Sequence, residues 1–123
     1  MAKTDVLFFR EPTSDSAPLV EWLKSLPFKV QAKCTGRIDR LAELGQELRR
    51  PEADILRDGI YELRASYQGV HYRMLYFFVG KAVVVVSHGF AKEKIVPFRE
   101  IALAIKRKQL VESDVDKFTF RPE

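Results

Sequence analysis

Cysteine is nearly missing: Cys34 is the only one in 123 residues, so the chain can build neither a disulfide framework nor a cysteine-based zinc site. Apolar runs are short too. Val83 to Val86 falls far below the roughly 20 residues that a membrane-spanning helix needs. No secretory signal pattern is present, which predicts a cytoplasmic protein. Repeats, low-complexity tracts and linkers are absent as well, so residues 1–123 are expected to form one domain, with a tail after about residue 113 whose structure the pattern leaves open.

What is there is a globular composition, 46% hydrophobic and 31% charged, which excludes a disordered chain. The net charge of +4 is modest; its distribution says more. Between Arg64 and Lys108 stand nine lysines and arginines against two acids, Glu93 and Glu100. That half reads either as an anion-binding surface or as charge kept for solubility.

The stretch Ile60 to Phe90 is rich in β-branched and aromatic residues and is punctuated by Gln68-Gly69 and Gly80-Lys81. It predicts three antiparallel strands joined by two tight hairpins. With Gln68 and Gly69 as loop residues, Tyr67 faces Val70, Leu63 faces Met74, Tyr61 faces Tyr76 and Arg64 faces Arg73. With Gly80 and Lys81 in a second two-residue turn, Phe78 faces Val83 and Arg73 faces His88. One row across the sheet is then Arg64, Arg73, His88. The opposite face, with Tyr61, Leu63, Ala65, Tyr72, Met74, Tyr76 and Phe78, suits packing beneath helices. Like charges set side by side destabilise a sheet, so the row asks for an anion.

Around this unit, Val6-Leu7-Phe8-Phe9 predicts a first strand that pairs with the later sheet. A helix capped by Asp15 or Ser16 follows, with Pro18 in its first turn and Leu19, Trp22, Leu23 and Leu26 as its apolar stripe. Pro27 opens a longer helix with Val30, Cys34, Ile38 and Leu41 on one face and Lys29, Lys33, Arg37 and Arg40 on another, ending at Gly45. The basic face reads as solvated or as a partner surface. Leu48 to Gly59 reads as a loop. Pro97 begins a final helix with Phe98, Ile101 and Ile105 inward and Lys106-Arg107-Lys108 toward its C-terminal end. The expected fold is α+β, a small antiparallel sheet in the order β-α-α-β-β-β-α, with the two N-terminal helices on one face and a C-terminal helix.

Tyr61-Glu62-Leu63-Arg64, Tyr72-Arg73-Met74-Leu75-Tyr76 and His88-Gly89-Phe90-Ala91-Lys92 together resemble the phage-derived HigB-like branch of the RelE/ParE toxin superfamily. The resemblance implies a compact RelE-like toxin of a type II toxin-antitoxin pair, usually an endoribonuclease that cuts messenger RNA on the ribosome. It also implies a small antitoxin partner, often with a helix-turn-helix domain. Relatives that act on DNA gyrase leave a non-nuclease toxin as an alternative, and an RNA-binding module without chemistry is another. Position by position, Arg64 and Arg73 match the basic residues such toxins place on the concave sheet face, and Lys92 matches the lysine after His-Gly-Phe. Where relatives show two adjacent lysines, this chain has Glu93 and then Lys94.

Attack by a 2′-hydroxyl needs a base, cations around the phosphorane and an acid for the leaving oxygen, but no metal or other cofactor. Arg64 and Arg73 suit the phosphate. His88 is the first candidate for proton transfer, since an imidazole titrates near about 6.5 and neighbouring arginines pull that value down. His71, two residues before Arg73 and on the same face, is the second. Phe90 could stack a base, and Lys92 and Lys94 could hold flanking phosphates. A structural reading stands beside each: Arg64 or Arg73 paired to Glu62 or to a C-terminal acid, and His88 satisfied at a strand end.

Overall fold

The computed structural model describes residues 4–13, 16–91 and 95–122. Strand β1 (Asp5–Phe9) leads to helices α1 (Pro18–Lys24) and α2 (Phe28–Leu44). Strands β2 (Ala53–Arg57), β3 (Ile60–Tyr67), β4 (Val70–Val79) and β5 (Val83–Ala91) follow, then α3 (Phe98–Ser113), the short α4 (Val115–Phe118) and a two-residue strand β6 (Thr119–Phe120). The class is α+β, with α1 and α2 packed on one sheet face and α3 on the other.

Two expectations about the sheet are corrected, and the tail, left open by the pattern, is resolved. It has six strands in the order β2-β3-β4-β5-β1-β6 and is mixed, because β1 runs parallel to β5 and antiparallel to β6. An apolar strand suits that interior place: Phe8 packs in one layer while Leu7 and Phe9 pack in the other. Between Leu48 and Gly59 lies β2, whose period-two signal is broken by a bulge between Ile55 and Arg57. The tail forms α4 and β6, with Asp114 capping α4 through a 3.2 Å bond from the Lys117 N–H.

The helices largely follow their signals. Pro27 stands at the N-cap of α2, and Gly45 ends it at φ +51°, its N–H donating to the Leu41 carbonyl. Ala17 occupies the N-cap of α1, with no side-chain cap; Asp15, one of the two expected caps, lies outside the described residues. Cys34 is fully buried, and burial pushes its thiol up to about 11, so it is a small core side chain. Helix α3 differs from expectation at Phe98. Phe98 is 72% exposed beneath the Arg57 guanidinium, 4.5 Å from the ring centre. The helix runs on to Ser113, so Lys106-Arg107-Lys108 lie in its C-terminal half but before its last turn.

The first hairpin has the expected register: Tyr67 pairs with Val70, Arg64 with Arg73, Leu63 with Met74 and Tyr61 with Tyr76. Gln68 and Gly69 both have positive φ, 51° and 82°, the backbone of a type I′ turn. The second hairpin corrects the expected row. Its loop has three residues, so Val79 pairs with Val83 and Phe78 with Val84, and a bulge at Ser87 then advances β5 by one more place. Two single slips restore the face but move it along one rung. Phe90, not His88, stands opposite Arg73, and His88 stands opposite Leu75.

The bulge also turns Gly89 toward α1, where a Cβ would overlap the Trp22 ring. Gly89→Ala is expected to lower the unfolding free energy by about 1–3 kcal/mol through overpacking. Urea denaturation followed by Trp22 fluorescence checks it; an unchanged midpoint would mean that the ring is free to move aside.

Candidate nucleic-acid interface

The interface starts from a strand-pair detail. The Arg64 N–H donates to the Glu52 carbonyl at 2.7 Å, away from β4, so Arg64 and Arg73 form a non-hydrogen-bonded antiparallel pair, the kind whose Cα atoms approach to about 4.5 Å. Their guanidiniums would repel each other. A carboxylate on the same face, one rung away, prevents this: Glu62 accepts from Arg64 Nη2 at 2.8 Å and from Arg73 Nη1 at 3.2 Å, with its side chain 3% exposed. The anion that the sequence asked for is therefore present inside the chain, and the pairing to Glu62 is the arrangement observed.

Arg64 also reaches Asp54 at 3.4 Å. The Arg50 guanidinium, hydrogen-bonded to that carboxylate, holds the Asp54 pKa below the usual range. The Arg64 Nε is buried without a hydrogen-bond partner among the described residues. Both arginines thus present cationic groups whose positions are set before any ligand arrives.

His88 belongs to a different group of side chains. It is buried between β5 and α3, with Nδ1 2.7 Å from Ser87 Oγ and Nε2 3.1 Å from Glu100 Oε1. Arg107 donates to the Ser87 carbonyl at 3.2 Å and lies over the Phe9 ring. Burial first, and Arg107 second, lower the His88 pKa, against an opposing pull from Glu100. The neutral ring donates from Nε2 to Glu100 and accepts the Ser87 hydroxyl at Nδ1, so both nitrogens are satisfied.

That shift has a sign. The unfolded chain takes up a proton at His88 first, so stability is fully present above the unfolded value of about 6.5 and is lost as pH falls below it. Stability measured by urea denaturation between about pH 7 and 5 is expected to fall in the wild type and to fall less in His88→Gln. Equal slopes would contradict this placement.

His71 is the histidine that the structure brings to the arginines. It pairs with Ser66 across the β3–β4 hairpin, its Nδ1 3.2 Å from Ser66 Oγ. A hollow of about 500 Å³ is lined by His71, Arg64, Arg73, Tyr72, Lys33 and Arg37, among other residues, and no carboxylate of the described residues lines it. On the other side of the two arginines, a second hollow of about 290 Å³ has apolar walls from Leu56, Ile95, Val96 and Ile101. Phe90 sits beside Arg73, its ring centre 5.9 Å from that of His88. Lys92 and Lys94 lie outside the described residues.

Lys33 and Arg37 were seen in the sequence only as part of a basic helix face. Strand β2 begins only at Ala53, opposite Leu63, and this leaves the β3 edge without a strand partner beyond Arg64. Helix α2 fills the gap: Arg37 Nε donates to the Arg64 carbonyl at 2.8 Å. Their spacing of four residues was the only signal in the sequence, and it cannot report where a neighbouring strand begins.

Among the described residues, no helix is long and apolar enough to cross a membrane, and no group of three or more His, Cys, Asp and Glu could hold a metal ion. A search of curated proteins finds no match. A family model, phage derived protein Gp49-like (DUF891), matches residues 21–109, a span that runs from α1 into α3 and contains both hollows. That family lies within the RelE/HigB-like toxin superfamily and commonly supplies the toxin of toxin-antitoxin systems, which implies an antitoxin partner. The chain belongs to the phage-derived Gp49-like family.

Proposed function

We propose that the protein is the toxin of a type II toxin-antitoxin pair and cleaves messenger RNA on the ribosome. The observation that carries this reading is the pair of guanidiniums on facing rungs, aligned by the buried Glu62 carboxylate and open to a hollow that no acidic side chain of the described residues lines. Such a pair fits a phosphodiester, whose oxygens gain charge as the phosphorane forms.

In this reaction the 2′-oxygen attacks phosphorus, its proton passes to an imidazole, and the bond to the 5′-oxygen breaks. The leaving oxygen takes a proton from water, and the hydroxide left behind takes the proton held on the imidazole, giving a 2′,3′-cyclic phosphate, a 5′-hydroxyl and the neutral ring again. Arg64 and Arg73 meet the developing charge, so the step as drawn uses no metal. His71 is the imidazole assigned to the proton, because it lines the hollow whereas both nitrogens of His88 are engaged elsewhere. His88 acts as a positioning residue that holds β5 against α3. Phe90, opposite Arg73, is placed to stack a base.

Inducing the protein and mapping new messenger RNA 5′ ends tests the reading. Cuts inside translated codons are expected. DNA damage without such cuts would overturn it in favour of gyrase, and RNA binding without cuts would leave a binding module.

A further inference from the structure

We infer that Lys33 and Arg37 of α2 form a second phosphate subsite, so that the bound substrate is single-stranded RNA crossing the bare edge of β3 with two consecutive phosphates held. This rests on the RNA reading above and extends it to a helix that the arginine pair does not include.

The first ground is size. A hollow of about 500 Å³ is far larger than one phosphate group fills and falls within the range of about 300–1,000 Å³ typical of ligand sites. The second is charge. Four cationic side chains from two layers of the fold, Lys33 and Arg37 on α2 and Arg64 and Arg73 on the sheet, line one space, with no acidic residue of the described chain among them. A basic helix face kept only for solubility has no reason to converge on a second pair of cations.

The third ground is preorganisation. Arg37 is anchored by its 2.8 Å bond to the Arg64 carbonyl, and its Nη1 stands 3.5 Å from Glu52 Oε2. Glu52 itself is engaged chiefly by Arg40, through bonds of 3.0 and 3.1 Å. Lys33 is exposed, and among the described residues no ion pair holds it. The main-chain N–H of Ser66 points to the same edge, since alternate residues of a strand direct their hydrogen-bonding groups to one side. Tyr72 supplies an aromatic wall.

The experiment measures binding of 2′-O-methyl oligonucleotides, which cannot be cleaved by this route, by fluorescence anisotropy. A dinucleotide carries one internal phosphate and a trinucleotide two. For the full-length wild type, the trinucleotide is expected to bind about tenfold more tightly, with a salt slope steeper by about 0.7. In Lys33→Ala the tenfold ratio is expected to shrink to about threefold, and in the Lys33→Ala, Arg37→Gln double variant to about one, as the added slope disappears. Lys33→Ala removes an exposed side chain, so it keeps the test valid should the double variant fold poorly. A ratio unchanged in Lys33→Ala would overturn the subsite and leave the nuclease reading standing. A wild type that binds neither oligonucleotide would overturn both.

Discussion

Arg73→Ala is expected to abolish growth inhibition, together with the new messenger RNA 5′ ends, while leaving a soluble, folded protein. The Arg73 side chain is 12% exposed, so the substitution removes packing and, among its contacts, the bond to the Glu62 carboxylate, whose loss costs about 1.5–3 kcal/mol. The fold tolerates this because Glu62 keeps its shorter bond to Arg64, at 2.8 Å, and so is not left buried alone. Activity has no such reserve. Losing one cation aimed at the charge of the transition state costs about 10²–10³ in rate. Arg73→Lys restores the charge but not the paired donors, and an intermediate effect is expected in single-turnover cleavage. A fully toxic, soluble Arg73→Ala protein would remove Arg73 from the site.

Glu62→Ala should have the larger effect on stability. Removing the carboxylate leaves two facing guanidiniums without the acceptor that separates them, and breaking a buried ion pair from one side costs about 3–5 kcal/mol. The lower end is expected, because the Arg64 side chain is about one-third exposed and also reaches Asp54. Glu62→Gln keeps a carbonyl acceptor and should lose less. Urea denaturation with and without inorganic phosphate provides the discriminating measurement. If the two arginines form an anion site that Glu62 only partly neutralises, phosphate should restore more stability to Glu62→Ala than it adds to the wild type. Equal gains would mean that the pair is a structural ion cluster.

Much of the sheet face was legible because turn chemistry is local. Gln68-Gly69 sets the first hairpin, and with it the Arg64–Arg73 pair, through two residues that adopt positive φ. Nothing equivalent marks the second. Gly80-Lys81 fits a two-residue turn as well as the three-residue loop observed, and Ser87 has no chemistry that declares a bulge, so His88 was expected one rung from its actual place. Its partners come from a chain segment twelve residues on, in α3, and periodicity within a strand carries no information about them. The same limit applies to α2. Its basic spacing was visible, yet its meaning depends on where β2 begins, and β2 itself was hidden by a bulge that breaks its alternation. By contrast, Gly45 and the apolar face of β3 and β4 depend only on neighbours in sequence and were read correctly.

The place of β1 between β5 and β6 also bears on how the molecule assembles. Its parallel partner begins at Val83 and its antiparallel one at Thr119, so a greasy segment must wait for two stretches made much later before both flanks are covered. Such distant pairings slow folding and leave sticky edges uncovered meanwhile. The nascent polypeptide would complete this sheet only once Thr119 and Phe120 have emerged to cover the second flank.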